Sequence, residues 1–271
     1  MSTREGRIHY VQAGDGPPVL LLHQTPRSWD EYRDVIPLLA PTHRVIAMDT
    51  IGFGDSDKPD RLMNVEAFGR AVIAFADALG LDRFSLVGHH TGGVIAVEVA
   101  GRNPARIDKL VLSGTTCPDG EGRKRDWPSI DAVDTTHDGS HMMELWRKRL
   151  PYYPVDRPDL LDRFVLDALK VGLDRVEEGH DAVNSFRIED PLPSVTAPTL
   201  LICGTEDWAA LPEQDKLASY LPRCQRVLVK GGGIALVDHM PGEFAEAVLG
   251  FLLADSQATG SGATDVRGRE A

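Results

Sequence analysis

The stretch Phe84-Ser85-Leu86-Val87-Gly88-His89-His90-Thr91-Gly92-Gly93-Val94-Ile95-Ala96-Val97-Glu98-Val99-Ala100 decides the fold. Phe84 to Val87 predicts a short buried strand, and Val94 to Ala100 predicts a buried helix. Between them Gly88, His90 and Gly92 occupy the frame of a nucleophile elbow, a sharp strand-to-helix turn whose glycines stand where side chains would clash. The frame and its context are complete, but its tip is His90 rather than Ser, Cys or Asp. The scaffold is therefore easier to read than the reaction.

Outward from the elbow, strand-like runs alternate with helical patterns. Val19 to His23 precedes a helical segment around Trp29 to Leu39, and Arg44 to Asp49 leads into the turn Gly52-Phe53-Gly54-Asp55-Ser56. A helix is predicted over Val65 to Leu79, and further strands at Lys109 to Ser113, Thr199 to Cys203 and Arg226 to Val229. Short strands that are apolar on both faces, alternating with helices, predict an α/β architecture: a mainly parallel central sheet covered on both sides.

Between Cys117 and about Asp190 the strand pattern stops. Met142 to Arg149 and Leu160 to Leu173 predict helices separated by Pro151, Pro154 and Pro158. The domain reading is thus a core made of 1–116 and 191–254, a helical lid inserted at 117–190, and a disordered tail at 255–271 that lacks apolar periodicity. Trp127, Trp146, Tyr152 and Tyr153 of the insertion either wall an apolar pocket or form the insertion's own core.

Composition bounds the partners. The chain of 271 residues is 42% hydrophobic and 26% charged, enough for one large domain with a core. Its 29 Lys and Arg against 41 Asp and Glu give a net charge of −12, which argues against a nucleic-acid backbone and for a small-molecule partner. No run approaches membrane-spanning length and the N-terminus has no signal-like apolar core, so no membrane association and a cytoplasmic location are expected. Cys117, Cys203 and Cys224 show no paired spacing, consistent with reduced thiols. Oligomeric state is not readable.

Three motifs together resemble the α/β-hydrolase superfamily, in its lid-bearing branch of esterases, C–C hydrolases and epoxide or haloalkane hydrolases. His23-Gln24-Thr25-Pro26 is similar to the family's His-Gly-x-Pro oxyanion loop, and Asp49 to Ser56 to its D-x-x-G-x-G-x-S turn. Gly88 to Gly92 is the elbow. The resemblance covers roughly Gly6 to Leu253. It implies an oxyanion hole from the backbone N–H groups of Gln24 and Thr91, with His23 shaping the loop, His89 packed behind the sheet and Asp49 fixing its turn. Asp207, in Gly204-Thr205-Glu206-Asp207, falls at the family's late acid.

The chain departs from the pattern twice. The elbow holds His90, and Ile234 occupies the position where the family places its His, directly after Gly231-Gly232-Gly233. His239 lies five residues further on and does not match. A Ser-His-Asp relay cannot operate here. With the intervening His missing, no direct contact between Asp207 and His90 is expected.

An imidazole, with an ordinary pKa of about 6.5, can serve as base, nucleophile or ligand contact near neutral pH. The implied pocket is lined by His23, Trp127, Trp146 and Ile234, with His90 and Asp207 as the catalytic pair. The reaction the resemblance implies is a cofactor-free hydrolysis of a small apolar carbonyl compound, ester or lactone, with His90 as general base or nucleophile. Two alternatives stay open: a cofactor-free lyase, decarboxylase or isomerase, and a ligand-binding pseudo-enzyme. No spacing of His, Cys or carboxylates suggests a metal site.

Overall fold

The computed structural model describes residues 1–118 and 131–254. Trp127 and the expected tail at 255–271 lie outside the described residues. Seven strands make the sheet: β1 (Tyr10–Ala13), β2 (Pro18–Leu22), β3 (Arg44–Met48), β4 (Phe84–His89), β5 (Ile107–Ser113), β6 (Thr199–Gly204) and β7 (Cys224–Val229). Their spatial order is β1-β3-β2-β4-β5-β6-β7, parallel throughout except for β1, which pairs antiparallel with β3 through Tyr10 opposite Met48. The expected mainly parallel sheet is present, with an antiparallel edge strand that the sequence reading did not identify.

Nine helices accompany it among the described residues: α1 (Ile36–Leu39), α2 (Val65–Ala78), α3 (Thr91–Arg102), α4 (Ser140–Arg149), α5 (Pro158–Val171), α6 (Glu178–Ser185), α7 (Gln214–Ser219), α8 (Leu236–His239) and α9 (Pro241–Leu253). The helical segment predicted over Trp29 to Leu39 is instead a 3-10 turn at Trp29–Tyr32 followed by the short α1. Asn64 caps α2 by accepting the N–H of Ala67 at 2.9 Å. Gly172, at φ +99°, ends α5 just after Val171.

Alternation along the strands divides the core. Leu20, Leu22, Ile46 and Met48 pack with α2 and α3 on one face, while Val19, Leu21, Val45 and Ala47 pack with α1 and α9 on the other. Val19 to Leu22 are fully buried, which accounts for their continuous apolar run. The described chain between β5 and β6 is helical and has its own small core of Leu145, Leu160, Leu161, Phe164 and Ala168. No helix among the described residues is long and apolar enough to cross a membrane.

Candidate active site

The elbow forms as the glycines predict. A Cβ on Gly88 would lie 2.2 Å from the carbonyl oxygen of Gly92, and one on Gly92 would lie 2.2 Å from that of Leu22. Helix α3 is thereby drawn against the end of β2, which carries the loop of Gln24. His90 sits at the tip with φ +47° and ψ −113°, and is the one non-glycine residue at positive φ among those described. That conformation costs on the order of 1–3 kcal/mol.

His90 Nε2 lies 2.9 Å from Oδ2 of Asp207. This corrects the expectation that the two do not meet. The side chain of His90 reaches back across Gly114, the residue after β5. A Cβ on Gly114 would lie 2.7 Å from His90 Nε2 and 2.8 Å from Asp207 Oδ2. The ring N–H is turned off the line to the carboxylate, so neither facing atom has a well-directed hydrogen bond. The other carboxylate oxygen, Oδ1, accepts the N–H groups of Ala209 at 3.2 Å and Ala210 at 3.0 Å. Burial pushes the Asp207 carboxyl up, but the facing His90 and the Ala210 N–H outweigh it and hold the group below its ordinary value.

His89, fully buried, faces the other way. Its Nε2–H donates to the Ile234 carbonyl at 3.0 Å, and its Nδ1 accepts from the Ser113 hydroxyl at 3.0 Å. Burial, reinforced by neighbouring His90, pushes its pKa down to about 3. Ile234 is thus tied to the sheet by its backbone while its side chain helps line the cavity.

The loop after β2 departs from the expected oxyanion hole. The backbone N–H of Gln24 donates to Oε2 of Glu31 at 2.9 Å, and its side-chain amide donates to Oε1 at 2.6 Å. The buried Glu31 carboxylate therefore already occupies the donor assigned to an oxyanion. Thr91 remains, in the first turn of α3, where an N–H has no intrahelical acceptor and the helix dipole favours negative charge. His23 donates from Nδ1 to the Gln24 carbonyl at 2.8 Å and accepts the Thr50 N–H at Nε2 at 2.9 Å. It shapes the loop and is not among the described residues lining the cavity.

A cavity of about 350 Å³ opens over His90, Thr91 and Gln24. Val183, Trp208, Ala209 and Ile234 supply apolar wall, and Arg149, Glu177, His180, Asp181 and Asn184 supply polar wall. Trp146 does not line it. It packs with Tyr152 against the core of the inserted helices, as a large ring does where apolar neighbours surround it. Tyr153 turns its hydroxyl to Arg27 at 3.3 Å.

Residues outside the sequence reading hold the inserted helices to the core. Arg27 is fully buried, donates to Asp167 at 2.9 Å and to Asp238, and lies 3.5 Å from Asp30. Within the inserted helices themselves, Arg149 is paired with Asp131 and stacks on Phe164 at 4.5 Å. Asp131, Glu177 and His180 bring their donor atoms within 4.8 Å of one another, but Asp131 is committed to Arg149. Sequence reasoning missed Glu177 and His180, although their spacing of three residues places a carboxylate and an imidazole on one face of a helical turn.

Over 106 residues the chain is 41% identical to a soluble epoxide hydrolase from a Corynebacterium species, a match covering 39% of this chain and 37% of that protein. Over 111 residues it is 40% identical to haloalkane dehalogenase 2 of Mycobacterium tuberculosis, covering 41% of this chain and 39% of the relative. The matched part is therefore well under half of either relative. The enol-lactonase from Burkholderia xenovorans superposes with a TM-score of 0.75 at 20% identity, over 94% of this chain and 99% of that one, a likeness of fold. The model of the alpha/beta hydrolase fold family matches residues 17–239, and the chain belongs to that family.

Proposed function

We propose that this member of the hydrolase family uses His90, oriented by Asp207, as a general base on a small uncharged ester or lactone, with 117–190 serving as the lid over the cavity. The 2.9 Å approach of His90 Nε2 to Asp207 Oδ2 carries the reading. With Nε2, the nitrogen beside the carboxylate, carrying the proton, the lone pair lies on Nδ1. That nitrogen is the one left to take a proton. A water molecule gives its proton to Nδ1, its oxygen attacks the carbonyl carbon, and Asp207 stabilises the imidazolium. The Thr91 N–H, at the positive end of α3, faces the developing oxyanion. No cofactor takes part in these steps.

The occupied Gln24 N–H favours a second reading. With one oxyanion donor already bound to Glu31, the site is better equipped for proton abstraction than for a full tetrahedral anion. A lyase, decarboxylase or isomerase reaction on the same base follows from that. Turnover of aryl esters and lactones by the native protein beside His90→Ala tests the proposal. Hydrolysis that disappears in the variant supports it. Equal hydrolysis in both overturns it, and binding without turnover favours a pseudo-enzyme.

A further inference from the structure

The cavity contains a second imidazole–carboxylate pair, built on the plan of the first. His180 Nδ1 lies 2.9 Å from Oε2 of Glu177. The other oxygen of Glu177 accepts the consecutive backbone N–H groups of Asp131 at 2.5 Å and Ala132 at 2.9 Å. Asp207 is held in the same way: consecutive N–H groups on one oxygen and an imidazole facing the other. One pair comes from the sheet side and the other from the inserted helices, and His90 and His180 line the same cavity.

The segment that carries His180 is fixed on both flanks. Glu178 accepts the Met63 N–H at 2.6 Å and the Arg175 guanidinium at 2.7 Å. A Cβ on Gly179 would lie 1.9 Å from the Thr25 hydroxyl oxygen, so α6 begins in direct contact with the loop of Gln24. Asp131 Oδ2 lies 4.0 Å from His180 Nδ1 but is committed to Arg149. A half-buried imidazole with one nitrogen bound to a fixed carboxylate offers its other nitrogen to a ligand. Positioning of this kind is what acid–base chemistry requires.

We propose that His180, positioned by Glu177, is the general acid of the site and protonates the leaving oxygen of the substrate. This rests on the reading of His90 as base. As water gives its proton to His90 Nδ1 and forms the new C–O bond, the C–O bond to the leaving group breaks. Its electron pair stays on the leaving oxygen, which takes the proton from Nε2 of the His180 imidazolium and leaves that ring neutral. One proton is taken and one is given, so the products are the carboxylic acid and the alcohol. Exchange with solvent restores both rings.

The test compares 4-nitrophenyl acetate, whose leaving group needs no proton, with phenyl acetate, whose leaving group benefits from one. His180→Gln is expected to lower kcat/KM for phenyl acetate by about 100-fold while changing 4-nitrophenyl acetate by less than about threefold. Glu177→Gln should give the same pattern, and His90→Ala should lose both substrates. Retained 4-nitrophenyl acetate turnover also certifies that His180→Gln and Glu177→Gln fold. An equal loss on the two esters, or none on either, overturns the proposal. Native protein inactive on both esters would be a failure of the general-base reading. In that case titration with phenol, followed by the 15N resonance of His180 Nε2, decides the role of His180: a shift supports it and no shift overturns it.

Discussion

Gly114 leaves the space in which His90 and Asp207 meet: a methyl group on its Cα would lie 2.7 Å from the imidazole Nε2. The residue is also at φ +53°, where an L side chain is strained. Gly114→Ala should therefore cost about 1–2 kcal/mol of stability. It should also force the pair apart and lower 4-nitrophenyl acetate turnover by roughly 10-fold or more. Urea unfolding and initial rates on the same preparation check both expectations.

Asp207→Asn preserves shape but removes the charge that would stabilise an imidazolium and fix its tautomer. Turnover should fall by on the order of 10²–10⁴-fold, with a smaller change in KM. Steady-state kinetics on one activated ester settles the outcome, and an unchanged kcat would sink the role given to Asp207.

Stability should depend on pH through His89. Its folded pKa is pushed down to about 3, whereas an unfolded histidine titrates near 6.5. The unfolded chain therefore binds a proton that the folded chain refuses as pH falls below about 6.5, and stability is lost in that direction. The contribution present at pH 7 declines by up to about 1.4 kcal/mol per pH unit on the way down. Denaturant midpoints of native protein and His89→Gln, measured from pH 7.5 to 5, should converge as the pH drops.

Arg27→Met removes a fully buried guanidinium while leaving Asp167 and Asp238 buried in its place. Breaking such a pair from one side costs about 3–5 kcal/mol. Burial, opposed by Arg27, already pushes the Asp238 carboxyl up to about 6. Adding Asp238→Asn should recover part of the loss, which a double-mutant cycle of melting temperatures would read out.

Local signals were enough for much of the chain. The continuous apolar runs at Val19 to Leu22 and Leu110 to Leu112 lie in strands buried on both faces, so their meaning needs no knowledge of distant neighbours. Gly88 and Gly92 announced the elbow because a backbone carbonyl occupies the place of each missing side chain. Trp146 was misassigned to the pocket, because an aromatic ring in a helix has the same local signature whether its face meets a ligand or Phe164 and its neighbours.

The sequence by itself determined the parallel α/β scaffold and the elbow with an imidazole at its tip, since each is encoded within a few consecutive residues. Tertiary structure alone decided that His90 reaches Asp207, that Glu31 occupies the Gln24 N–H and that His180 joins the cavity. Those contacts join positions 117, 7 and 90 residues apart from His90 to Asp207, Gln24 to Glu31 and His90 to His180. Their geometry depends on where α3, the loop after β2 and α6 are packed, a property of the whole fold that no local window of residues specifies.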